Sequence, residues 1–171
     1  MKNTVIQAQS MGQSIWYDNM QRGLIKSGEL QHLVDLGITG LTSNPTIFEK
    51  AITGSTDYDD AISVLKSEGK SAIEVYEILT VKDIQNAADL LRPIYDRTDG
   101  ADGFASLEVN PNLAHDTEGT ISEAKRLFLE LERPNVMVKV PATPEGIPAI
   151  RHLIADGINI NVTLIFSLDA Y

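Results

Sequence analysis

Short apolar runs alternate with amphipathic stretches along the whole sequence. That alternation admits few folds, because it is the pattern of βα units built around a parallel sheet. Five runs read as strands: Ser14 to Asp18, Thr39 to Asn44, Asp102 to Val109, Val136 to Ala142 and Ile160 to Phe166. The stretches between them carry helix signals. Asn44 before Pro45 and Thr143 before Pro144 are each an N-cap with proline at the first helical position. Asp116 caps a helix whose stripe is Ile121, Ala124, Phe128 and Leu131, and Gly157 stops one with Ile147, Ile150 and Ile154 on a common face. The stretch from Asp57 to Arg92 is too long for one crossover and reads as two or more helices, broken near Gly69 and near Thr80. No linker, repeat or low-complexity tract interrupts residues 1–171, which read as a single domain.

Two architectures fit an α/β pattern of this kind. A five-stranded doubly wound sheet suits 171 residues, whereas a (β/α)8 TIM barrel takes about 250, so that this chain holds only its first five βα units. The doubly wound fold usually binds its ligand through a glycine-rich or acidic loop after the first strand. Here that strand runs into Asp18, Asn19 and Met20 with no glycine cluster.

Fourteen Lys and Arg stand against 24 Asp and Glu, a formal charge of -10 that repels nucleic acid and anionic membranes. An anionic substrate therefore needs a local positive site. The absence of cysteine excludes disulfides and thiolate chemistry. His32, His115 and His152 match no metal motif, so no metal is expected. No segment approaches the roughly 18 apolar residues of a membrane span, and a cytoplasmic protein is expected.

Lys139 interrupts the run Val136 to Val140, which reads as a strand buried on both faces. Burial disfavours an ammonium group and lowers a lysine pKa by up to about 3 to 5 units. A free amine so exposed to a carbonyl substrate forms a Schiff base. The competing reading is a lysine that snorkels from a strand end or neutralises a buried carboxylate.

The carboxyl ends of the other strands also carry polar groups, where both architectures place their chemistry. The first ends at Asp18, the second at Asn44, the third carries Glu108, and the fifth carries Asn161 and Thr163 on one face. Acid, amide, amine and hydroxyl together suit imine chemistry on a polyol, which must lose water and a hydroxyl proton. Singly, Asp18 and Asn44 also read as helix caps, Glu108 as the ion partner of Lys139, and Thr163 as a strand former. His115, beside Asp116, is a weaker candidate base, and Arg22, Lys26 and Lys50 are candidates for a solvated face or an anion contact.

At these residues the chain resembles transaldolases of the long bacterial and cyanobacterial type, along essentially its whole length. Gly40 to Phe48 (GLTSNPTIF), Ser106 to Val109, Val136 to Thr143 and Asn159 to Ser167 carry the likeness. The resemblance implies a class I aldolase barrel that moves dihydroxyacetone from sedoheptulose 7-phosphate or fructose 6-phosphate to an aldose phosphate. The setting is the pentose phosphate pathway of carbohydrate metabolism, with sugar phosphates as partners and no metal or organic cofactor. By the same resemblance Lys139 forms the Schiff base and Asp18 takes the proton of the hydroxyl that becomes the departing aldehyde. Glu108 serves the carbinolamine through a water that Thr163 helps place, and Asn44 and Asn161 bind the dihydroxyacetone hydroxyls. A fructose 6-phosphate aldolase-like lyase and a non-catalytic sugar-phosphate binding or assembly module are the rival readings. The sequence ends at Tyr171, after the fifth strand. The resemblance places three more strands beyond it, with the serine and arginine that hold the phosphate, so a fragment with open sheet edges that self-associates or is only marginally stable is expected, and its own activity is left open.

Overall fold

A computed structural model describes residues 3–171. Strands β1 (Trp16–Asp18), β2 (Gly40–Thr42), β3 (Ala105–Glu108), β4 (Val136–Pro141) and β5 (Ile160–Thr163) pair in parallel, strictly in chain order. A doubly wound sheet reverses its strand order at a switch point. None occurs here, and the sheet curls as a part-barrel wall of (β/α)8 type, which sets the doubly wound alternative aside. The helices are α1 (Thr4–Ser10), α2 (Arg22–Lys26), α3 (Glu29–Asp35), α4 (Pro45–Thr53), α5 (Asp59–Ser67), α6 (Ala72–Arg97), α7 (Thr117–Leu131) and α8 (Gly146–Ala155).

Side-chain alternation gives the sheet two different faces. Val136, Val138 and Val140 of β4 are fully buried and join Leu41, Ala105 and the α6 residues Ile84 and Leu91 in the main core. Each of these valine, leucine and isoleucine side chains contributes about 1.5–3 kcal/mol when removed from water. Asn135 pegs the sheet to α6: fully buried, it donates through Nδ2 to Ala88 O at 2.7 Å and to Gly103 O at 2.9 Å.

The expected caps form at Asn44 and Asp116, whose Oδ1 atoms accept from the Ile47 and Gly119 amides at 2.9 Å each. Thr143 Oγ1 accepts from the Gly146 amide at 2.9 Å, but regular helix begins only at Gly146, so Pro144 lies in the turn before it. The chain breaks at Gly69 (φ 79°) as expected, and Ser71 with Glu74 forms a capping box that starts α6. The expected break near Thr80 does not occur. Its hydroxyl donates to Glu77 O at 3.0 Å inside the helix, so it does not compete with the helical backbone bonds, and α6 runs on through Pro93. Strand β5 ends at Thr163, short of Phe166, because Leu164 turns into the left-handed region at φ 64°.

Candidate active site

Strand β4 presents Lys139 on the inner face of the barrel wall, between Val138 and Val140, which face the helices. The strand is therefore buried on one face rather than both, and Lys139 lies among polar neighbours. Its Nζ donates to Ser43 O at 3.3 Å and lies 3.6 Å from Glu108 Oε2. Register explains the approach, because Glu108 of β3 pairs directly with Lys139. Both side chains are largely shielded, 12% and 18% exposed.

Burial pushes the Glu108 carboxyl above its ordinary range; Lys139 opposes this, and the negative charge of Asp18 adds to it. The effect of Asp18 on Glu108 places the two carboxylates in one electrostatic field, although they lie two strands apart in the sheet. Asp18 ends β1 opposite Thr42, whose Oγ1 is buried without a partner. The inner wall thus offers an unmet hydroxyl next to the carboxylate.

Asn161 pairs with Lys139 from the other side, and its Nδ2 donates to Ser106 Oγ at 3.1 Å. Ser106, two residues before Glu108 and fully buried, fixes the amide from below. Thr163 follows two residues after Asn161 on the same face, opposite Pro141. Asn44 lies two residues beyond Thr42; its Oδ1 caps α4, which leaves the amide NH2 for another partner. A cavity of about 450 Å³ adjoins Asn44 and Glu108, walled by Phe48, Tyr76 and Leu107.

The structure thus gathers Lys139, Glu108 and Asn161 in one row, with Asp18 in the field of Glu108. His115 stands apart, with an 80% exposed side chain against Glu145. Lys50 is exposed, and Lys26 pairs with Asp57 at the surface. Arg22 is not on a solvated face: its guanidinium is committed to the buried Asp83. Two contributors escaped sequence reading. The i−2 spacing from Glu108 could have marked Ser106, whereas a backbone carbonyl such as that of Ser43 leaves no residue-type signal. Among the described residues no helix is long and apolar enough to cross a membrane, and no group of three or more His, Cys, Asp or Glu is placed to hold a metal ion.

Comparison with known proteins bears on this arrangement. The family model described as Transaldolase/Fructose-6-phosphate aldolase matches residues 15–171. A transaldolase of Trichodesmium erythraeum is 50% identical over 170 residues, covering 99% of this chain and 45% of the relative. One of Thermobifida fusca is 46% identical over 172 residues, covering 100% of this chain and 47% of the relative. A protein named transaldolase 2 from Nostoc punctiforme is 49% identical over 170 residues. The chain thus spans about half the length of the curated relatives it matches.

Proposed function

The chain belongs to the transaldolase/fructose-6-phosphate aldolase family, and from that membership we propose that it carries the imine-forming side of a transaldolase site. The reaction moves a dihydroxyacetone unit from a ketose phosphate to an aldose phosphate. The observation that carries this reading is Lys139 Nζ standing 3.6 Å from a shielded carboxylate on the neighbouring strand. An amine so placed has an acid and base within reach of one water.

The free amine of Lys139 attacks the ketose carbonyl carbon to give a carbinolamine. Glu108, acting through a water beside Thr163, supplies the proton with which the hydroxyl leaves as water. The elevated carboxyl of Glu108 suits that exchange, since it holds a proton more readily than an exposed glutamate. The protonated imine then draws electrons. Asp18 takes the proton from the hydroxyl on the carbon beyond the bond to be broken. That carbon leaves as an aldehyde, and the bond's electron pair moves into the enamine. Asn44 and Asn161 hold the dihydroxyacetone hydroxyls. Attack of the enamine on an aldose phosphate, followed by hydrolysis of the imine, returns the amine and a new ketose.

The test is exchange of label from glyceraldehyde 3-phosphate into fructose 6-phosphate. Transfer predicts labelled ketose with the parent chain and none with Lys139→Ala. Release of free dihydroxyacetone without an acceptor would replace the transferase reading with a lyase. Sugar phosphate binding with neither product would reduce the chain to a binding module.

A further inference from the structure

Asp83 on α6 is a wholly buried carboxylate that imine chemistry does not use, and its contacts converge on the segment following Asp18. Arg22 Nε and Nη2 both donate to its Oδ1 at 2.9 Å, and the Tyr58 hydroxyl donates to its Oδ2 at 2.9 Å. The same Tyr58 hydroxyl accepts the Arg22 backbone amide at 2.9 Å, and the Arg22 guanidinium lies 4.5 Å from the centre of the Tyr58 ring. Arg22 opens α2, a five-residue helix whose cap position, Gln21, makes no side-chain capping bond. So short a helix has little stability of its own, and the tyrosine hydroxyl takes the place of the missing cap. Between Asp18 and Arg22 lie Asn19, Gln21 and the fully buried Met20. Among the described residues the Asp18 carboxylate makes no hydrogen bond, so its aim depends on the backbone that carries it: the pairing of Asp18 with Thr42 in the sheet and, four residues on, the Arg22 amide held by Tyr58.

We propose that Arg22, Tyr58 and Asp83 form a clamp of positioning residues that aims the Asp18 carboxylate for carbon-carbon bond cleavage. This inference rests on the role given to Asp18 above. The clamp acts on the cleavage step and not on imine formation, because its contacts end at the β1–α2 segment while Lys139 and Glu108 sit on β3 and β4.

Two readouts test it on the same chain, using Tyr58→Phe and Asp83→Asn, with Asp96→Asn as a control that breaks only an exposed pair with Arg92 further along α6. In amide hydrogen exchange, residues 18–22 should exchange at least tenfold faster in the two clamp variants, with β4 and the control unchanged. No change at 18–22, or equal acceleration in β4, overturns the clamp. In borohydride trapping with fructose 6-phosphate, the ratio of six-carbon to three-carbon adducts on Lys139 should rise at least tenfold while total adduct persists. An unchanged ratio in a chain whose 18–22 segment has loosened overturns the positioning role. If the parent chain forms no adduct, it is the proposed function that fails, and the exchange profile still decides the clamp.

Discussion

Replacing Gly40 with alanine should loosen the first two strands of the sheet. Gly40 pairs with Trp16 across β1 and β2, and a Cβ added there would lie within 2.5 Å of Trp16 Cδ2 and Nε1. Carbon atoms rest at about 3.5–4.0 Å, so the indole has to move by an ångström or more. Overpacking of this kind costs about 1–3 kcal/mol. The moving ring also leaves Phe104, whose ring it stacks on at 6.5 Å between centroids, a contact contributing about 0.5–1.5 kcal/mol. It gives up its bond from Nε1 to Asp102 Oδ1 at 3.2 Å as well. That loss falls at the low end of about 0.5–1.5 kcal/mol, because the same oxygen keeps the Gly103 amide at 2.9 Å. Against these stands a gain of about 0.4–1 kcal/mol from a stiffer unfolded chain, available because Gly40 does not occupy the left-handed region. The net expectation is a loss of about 2–3 kcal/mol, a sizeable part of the about 5–15 kcal/mol that domains possess. Trp16 is the only tryptophan, so its fluorescence during urea unfolding reports on the perturbed site itself. The midpoint should fall by about 1–2 M with an unchanged slope. In a Trp16→Leu background, followed by circular dichroism, Gly40→Ala should cost nothing. An unshifted midpoint with unaltered emission, or an equal cost in the Leu background, would refute the reasoning.

Asn135→Ala takes the side-chain donor from the Gly103 carbonyl and from the Ala88 carbonyl, which keeps its bond within α6, and should cost about 1–3 kcal/mol in urea unfolding, the range for one unsatisfied buried group. A loss below about 1 kcal/mol would mean that water reaches those carbonyls. The raised Glu108 carboxyl makes a pH prediction whose sign is fixed. A group with a folded pKa above its unfolded one holds more protons when folded, so its contribution to stability grows as pH falls through that window. The stability of the parent minus that of Glu108→Gln should therefore decline as pH rises from 4.5, by no more than about 1.4 kcal/mol per unit, and level off above the raised value. A difference that climbs with pH would mean that Lys139 outweighs burial.

Much of the barrel wall was legible because parallel strands need unbroken apolar residues on their helix-facing side, as at Val136, Val138 and Val140. Strand ends were less so, since Leu164 turns out of β5 in a conformation that leucine rarely adopts and composition does not announce. Thr80 misled for a related reason: a β-branched hydroxyl reads as a breaker, yet in α6 it bonds back to its own helix. The polar row at the strand ends was legible from residue type and position. Arg22 was not, because its partner lies 61 residues away on a helix whose inward face only the fold defines. Ser106 falls between these cases, visible by alternation but given meaning only by Asn161 arriving from β5.

The central claim is that Lys139 is the imine-forming amine. Incubation with fructose 6-phosphate, reduction with borohydride and peptide mapping by mass spectrometry test it most directly. The account predicts one adduct, on Lys139, and its disappearance in Glu108→Gln before any loss of fold. Adducts spread over exposed lysines such as Lys66 and Lys70, with Lys139 unmodified, would contradict it.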